Sequence, residues 1–332
     1  MARRIRAGGG AISMASLRYA GRRLLQGLVV LWVITVVTFL LVNLAPGGPG
    51  AVMRMETTAE QREALMRQLG LDQPLPVRYV RWLGDALQGD FGQSMNSREP
   101  VMPLVLQRLG NTAVLAAATL ALSLAVGLAL GIAAALRRGS WIDHAATLIS
   151  TLGVSVPDFW FGILLIMALS VRWNLLPSGN MATVGAEFSL ADRLAHLVMP
   201  SFVLMLVILP NILRFVRSSL LEVLHQDFIR TARAKGAGPV RVMVVHALRN
   251  ALIPVLTMLG LLIPALLGGS VIAESVFAWP GMGRLAVEAA MGRDYPVIMA
   301  VTVVAGVVVV ITNLVVDLAY SLVDPRIRHA AG

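Results

Sequence analysis

The run TAVLAAATLALSLAVGLALGIAAAL, residues 112–136, carries no charged side chain. As a helix rising about 1.5 Å per residue it is long enough to cross the roughly 30 Å hydrocarbon core of a bilayer. Backbone groups facing lipid have no water to bond, so such a run satisfies them only as a helix. Five more runs are long and almost wholly apolar: Leu24–Leu44, Ala145–Leu169, Val198–Val216, Leu252–Ile272 and Pro296–Val316. The sequence therefore predicts an all-α, polytopic membrane protein with six transmembrane helices. Composition agrees. Of 332 residues, 57% are apolar and 14% charged, where an ordinary soluble domain is about 25% charged. This argues against a soluble enzyme and excludes a disordered or fibrous chain.

The net charge of +10 could point to nucleic acid, but the basic residues flank the apolar runs instead. The first run follows six arginines (Arg3, Arg4, Arg6, Arg18, Arg22, Arg23) and resembles a signal peptide in outline. Its apolar core exceeds the usual h-region, and no small-x-small site precedes Pro46, so it reads as an uncleaved anchor. Lys and Arg number 17 on the side of the termini and 4 in the short loops opposite, which places both termini in the cytoplasm. The resulting division is a cytoplasmic N-terminus (1–23), a first span (24–44), an external segment (45–111), a five-helix transmembrane domain (112–316) containing a cytoplasmic loop (218–250), and a cytoplasmic C-terminus (317–332). The external segment has seven basic and seven acidic residues, apolar clusters at Leu65–Leu69 and Tyr79–Leu87, and turns at Pro46–Pro49, Pro74–Pro76 and Gly89–Gly92. Recurring Leu and aromatic residues favour a small ordered helical subdomain over a disordered linker.

What is missing restricts the chemistry. A phosphate-binding loop needs Gly-Lys-Ser/Thr, yet the single lysine, Lys235, precedes Gly236. The chain is therefore expected to bind no ATP. It has no cysteine, no His-Glu-x-x-His and no Gly-x-Ser-x-Gly, so no catalytic, metal or cofactor site is expected. A secondary transporter remains the alternative. It usually relies on ionisable groups inside the membrane, and only Asp158 lies clearly within a span. Any energy for transport should come from a partner.

The loop between the fourth and fifth spans is the most informative segment. Leu221, Leu224, Phe228 and Ala232 recur at i, i+3, i+7 and i+11, as on one helical face. Arg230 and Arg233 lie on another side. Arg233 and Lys235 suit a helix C-terminus, Gly236 a helix end, and Pro239 the first turn of a second helix with Val240, Val244, Ala247 and Leu248 on one side. Such a basic knob suits either anionic lipid headgroups or docking to a protein. The stretches Asp227-Phe228-Ile229-Arg230-Thr231-Ala232-Arg233-Ala234-Lys235-Gly236 and His246-Ala247-Leu248-Arg249-Asn250-Ala251-Leu252-Ile253-Pro254 resemble the EAA coupling loop of ABC-importer permeases, in the form found in the dipeptide/oligopeptide/nickel family. Arg230, Thr231, His246 and Arg249 depart from the general EAA pattern, as the peptide-type loop does. Asp90-Phe91-Gly92 with Ser94, Glu274-Ser275-Val276-Phe277 with Trp279-Pro280-Gly281-Met282-Gly283, and Asp324-Pro325-Arg326 are similar to further stretches of that family.

The resemblance implies a channel-forming permease subunit of the bacterial inner membrane. It implies partnership with a second homologous permease, two ATP-binding subunits and an external substrate-binding protein. The implied cargo is di- or oligopeptides, with nickel chelates or glutathione-type peptides as alternatives. Coupling to the ATPase falls to Phe228, Arg230, Ala232, Arg233, Lys235, Gly236, Arg249 and Asn250, where Ala232 would permit close approach and Gly236 the tight bend. Two other places have open readings. Ser155-x-Pro157-Asp158-Phe159-Trp160 interrupts the third span. Pro157 removes a backbone hydrogen bond, so Asp158 either caps a structural kink or, with Trp160, lines the pathway. The Glu274–Gly283 turn is either an interfacial anchor built on Trp279 or the outer mouth of the pathway, lined by Glu274.

Overall fold

The computed structural model describes residues 14–44, 72–267 and 270–323. The expected features at Leu65–Leu69, Pro46–Pro49 and Asp324-Pro325-Arg326, and Arg3, Arg4 and Arg6 of the N-terminal arginines, lie outside them. The regular structure of the described residues is all helical, with no named strand. In chain order they form α1 (Met14–Leu44), α2 (Leu75–Leu87), α3 (Val101–Leu136), α4 (Trp141–Ser155), α5 (Asp158–Leu165, continued by a π-helical stretch Ile166–Arg172), α6 (Leu190–Leu224), α7 (Asp227–Ala234), α8 (Pro239–Arg241, continued by a π-helical stretch Val242–Leu248), α9 (Arg249–Leu267), α10 (Val271–Val276), α11 (Met282–Met291) and α12 (Tyr295–Val323).

Five helical segments are long and apolar enough to cross a membrane, and the bent pair α4–α5 makes a sixth if it counts as one span. The expected kink in the third span is much sharper than proline alone produces: α4 and α5 meet at 101°. Val156 (φ −92°, ψ 123°) and Pro157 (φ −61°, ψ 130°) are both extended, because proline drives its predecessor out of the helical region. A second difference concerns α3. It begins at Val101, inside the segment read as an external subdomain, and its 36 residues run about 54 Å.

α6 is the central helix. Two thirds of its apolar window is buried (67%), against 22–33% for the other long helices. It packs parallel to α3 through a stripe of small residues, Thr119, Ser123, Gly127 and Gly131, spaced four apart and all buried. A Cβ on Gly127 would stand 2.6 Å from Ile212, and one on Gly131 2.8 Å from Val216. Without a hydrophobic driving force in lipid, such close approach is what holds helices together. Gly131→Val is expected to force α3 and α6 apart at a cost of about 1–3 kcal/mol, read as a lower thermal midpoint in detergent, while Leu122→Val on the exposed face leaves it unchanged.

The ends of α3 define the ends of the bundle. At its start, the strap 88–100 closes over Val101 and Val105, with Phe91 packed among them and Met282 and Leu285. Asp294 anchors the strap, accepting hydrogen bonds from the Ser94 hydroxyl and from Met95 N at 3.1 Å. At the far end, Ala135 packs with Leu220, Ile229 and Val242 beneath the knob. α1 and α12 run antiparallel, since Phe39 meets Tyr295 at the strap end while Gly27 faces Val310 further along. The outer ends of both helices therefore point toward the knob end.

Candidate functional site

The knob starts where α6 stops. His225 N bonds Glu222 O at 3.2 Å, Gln226 turns extended (φ −73°, ψ 150°), and α7 begins at Asp227. That break resets the helical phase, so the expected stripe Leu221–Leu224–Phe228–Ala232 is not one face. Ile229 (0% exposed) and Ala232 point inward with Ala135, Leu220, Val242, Ala247 and Ala251, whereas Phe228 is 41% exposed. Ala232 thus makes its close approach to the chain's own bundle, with 9% of its surface exposed. In the second helix Val240 and Val244 are also turned outward, and Val242 and Ala247 take the inner positions. The π-helical winding over Val242–Leu248 places more than four residues in a turn, which shifts the phase expected of an α-helix.

Between the two helices Gly236 adopts φ +79°. Its N–H donates to Arg233 O at 2.9 Å, and Ala237 N donates to Ala232 O at 3.2 Å, the glycine-terminated helix end that only a residue without Cβ forms cheaply. Arg230, Arg233, Lys235, Arg249 and Asn250 are all exposed. Asn250 holds His246 O at 2.7 Å, and Arg230 pairs with Asp227 at 3.3 Å on a solvated surface, where such a pair contributes little. The exposed set joins apolar Phe228, Val240 and Val244 with four cations.

The break between α4 and α5 places Asp158 in the first turn of α5, half-buried, with one carboxylate oxygen accepting Phe159 N at 2.8 Å. It lines a cavity of about 440 Å³ with Leu204, Asn211 and Ser270. A second cavity of about 640 Å³ follows along α6, lined by Thr151, Ser155, Arg214 and Arg217. Trp160 is 50% exposed and lines neither.

The Glu274 turn is a closed structural corner. Glu274 is 0% exposed. Its Oε1 accepts the Thr112 hydroxyl at 2.8 Å and its Oε2 accepts Arg284 N at 2.9 Å, while Met282 N donates to the Thr112 oxygen at 2.8 Å. Trp279 is 1% exposed, with its indole N–H on Asn111 O at 3.0 Å, and Asn111 returns a bond to Pro280 O at 2.8 Å. A Cβ on Gly281 would collide with the Glu274 carboxylate. The expectation of Glu274 at an open mouth, and that of Trp279 as an interfacial anchor, are both corrected: the carboxylate neutralises the backbone donors of a tight turn against α3, and the indole is sealed beneath it.

Two further charged groups lie along α6. Asp143, at the start of α4, receives Arg217 Nε at 2.6 Å and Nη2 at 2.8 Å, together with Gly139 N at 3.0 Å. Arg214 donates to Pro210 O at 3.3 Å and to Asn211 Oδ1 at 3.2 Å. Nothing local pairs residues 74 positions apart, as Asp143 and Arg217 are.

The chain matches two family models, the binding-protein-dependent transport system inner membrane component over residues 127–329 and its N-terminal region over residues 16–116. It is 45% identical over 314 residues to the oligopeptide transport system permease protein AppB of Bacillus subtilis, covering 94% of this chain and 99% of that one. It is 40% identical over 319 residues to the dipeptide transport system permease protein DppB of Escherichia coli K12, covering 89% and 94%. In fold it is similar to a chain of the MetNI methionine ABC transporter in an inward-facing structure, with a TM-score of 0.53 at 21% identity over 67% of this chain and 97% of that one. With its membrane-length helices, its knob and near full-length similarity to permeases, the chain belongs to the family of binding-protein-dependent transport system inner membrane components.

Proposed function

We propose that this chain is a channel-forming permease subunit that moves di- or oligopeptides inward across the bacterial inner membrane, driven by ATP hydrolysis on two separate ATPase subunits. The observation that carries it is the knob: a stiff, glycine-hinged pair of helices whose inner face is locked to α3 and α6 and whose outer face offers Phe228, Val240 and Val244 with cationic neighbours. Displacement of α7 is transmitted directly to α6, because only His225 and Gln226 separate them. Arg230, Arg233, Lys235, Arg249 and Asn250 face the ATPase, and Gly236 fixes the bend. Both termini lie in the cytoplasm with the knob, and the strap end receives a substrate-loaded binding protein. A second, related permease completes the pathway along the open cavities beside α6, giving a heterodimer. The peptide cargo follows the names of the full-length relatives.

The chain has no cysteine, so single cysteines report docking cleanly. Phe228→Cys is expected to cross-link to a cysteine introduced in the ATPase cleft, in a nucleotide-dependent way, and buried Ala232→Cys is expected to fail. Peptide uptake in proteoliposomes should require ATP and the binding protein. Uptake on a proton gradient alone, without nucleotide, overturns the reading.

A further inference from the structure

We propose that Asp158 and Arg214, set on either side of Asn211, are the two charged poles of a subsite for the free amino and carboxyl ends of a short peptide. The proposal rests on the peptide-importer reading above and adds where, and by which charges, this subunit contacts its cargo.

Ionisable side chains at membrane depth are costly and persist when they pair or when they serve a pathway. Both cases occur beside α6, with Asp158 inside the broken span and Arg214 toward the knob end of α6. Asp143 and Arg217 neutralise each other through two hydrogen bonds. Asp158 and Arg214 form no ion pair among the described residues. Asp158 has its own helix's Phe159 N–H, and Arg214 has only the neutral Pro210 and Asn211 oxygens. One unpaired anion and one unpaired cation therefore line adjoining cavities on a single face of α6.

Asn211 joins the two. It lines the cavity that holds Asp158, and it accepts a hydrogen bond from Arg214, which lines the next. Asn211 and Arg214 are separated by less than one helical turn, about 4.5 Å of rise. The helix break at Val156-Pro157 places Asp158 at the start of α5 on the cavity wall, and interrupted helices recur at substrate sites of transporters. Ser150, Thr151 and Ser155 add hydroxyls beside the cationic pole. An ammonium group suits the carboxylate pole and a carboxylate the guanidinium pole. A polyanionic metal chelate would meet Asp158 unfavourably, so the pair of charges selects a zwitterion over that alternative cargo.

The test uses the complete importer in nanodiscs, carrying Ser155→Cys, with maleimide labelling of this chain followed by mass spectrometry. Millimolar dipeptide is expected to slow labelling at least threefold. Its N-acetyl and C-amide forms should protect less than twofold, and Asp158→Asn or Arg214→Gln should each abolish protection. Equal protection by the blocked peptides, no protection by the free dipeptide, or full protection in both variants overturns the subsite. Each of those results leaves the importer reading standing if the wild-type assembly still accumulates peptide on ATP. Failure of ATP-driven peptide uptake in the wild type removes that reading and the subsite with it.

Discussion

Glu274→Ala is expected to abolish a stable fold at the strap end of the bundle, with a loss of about 3–5 kcal/mol. The side chain is wholly enclosed and accepts Thr112 Oγ and Arg284 N. Deleting it strands both donors away from water, at about 1–3 kcal/mol each, and empties space that Gly281 and Gly283 were shaped to leave. The damage spreads because Thr112 also accepts Met282 N, so the first turn of α11 and the face of α3 loosen together. Glu274→Gln keeps the shape and one acceptor but turns an amide N–H toward a donor, and it should fall between wild type and Ala. The check is the thermal midpoint of the purified complex in detergent, with Thr112→Ala and the double variant completing a cycle. Shared partners make the two losses less than additive. A Glu274→Ala chain as stable as wild type would refute the role.

The same turn shows why some of this molecule is legible in its sequence and some is not. Span positions follow from uninterrupted apolar runs: α1, α3, α6 and α12 each contain the run that predicts them, and α9 covers its run from Leu252 to Leu267. Their ends do not follow, because nothing in the apolar count stops α3 from extending back to Val101 beneath the strap. The knob's two helices and its glycine bend are legible through Gly236 and Pro239. Which of its residues face inward is not, because the phase depends on a two-residue break at His225 and on π-helical winding at Val242–Leu248. Glu274 could be flagged as an unusual carboxylate, but its enclosure depends on Thr112, 162 residues away. Proline chemistry predicts the break at Pro157. The 101° turn needs the packing of α5 against α10, where Gly162 sits 3.2 Å (measured from its would-be Cβ) from Val276.

Arg217→Ala is expected to lower stability by about 3 kcal/mol and to reduce peptide transported per ATP hydrolysed. The Asp143 side chain is 6% exposed, and removing its guanidinium leaves a nearly buried carboxylate with Gly139 N as its remaining donor. Stripping one partner from an enclosed ion pair costs about 3–5 kcal/mol, and the lower end applies because Arg217 is itself 30% exposed to solvent. The position matters as much as the energy. Arg217 lies two turns before the end of α6, where the knob is attached, and Asp143 heads α4 just after the loop that leaves α3. The pair therefore ties the helix that receives displacement from α7 to the helix whose break carries Asp158. Asp143→Leu with Arg217→Met removes both charges and is expected to recover most of the stability, since an apolar pair of similar bulk replaces an ion pair at little cost. Transport per ATP should recover with it if rigid attachment is what the pair supplies. Single variants that each cost under about 0.5 kcal/mol, or a double variant whose loss equals their sum, would show that α4 and α6 are held together by packing alone.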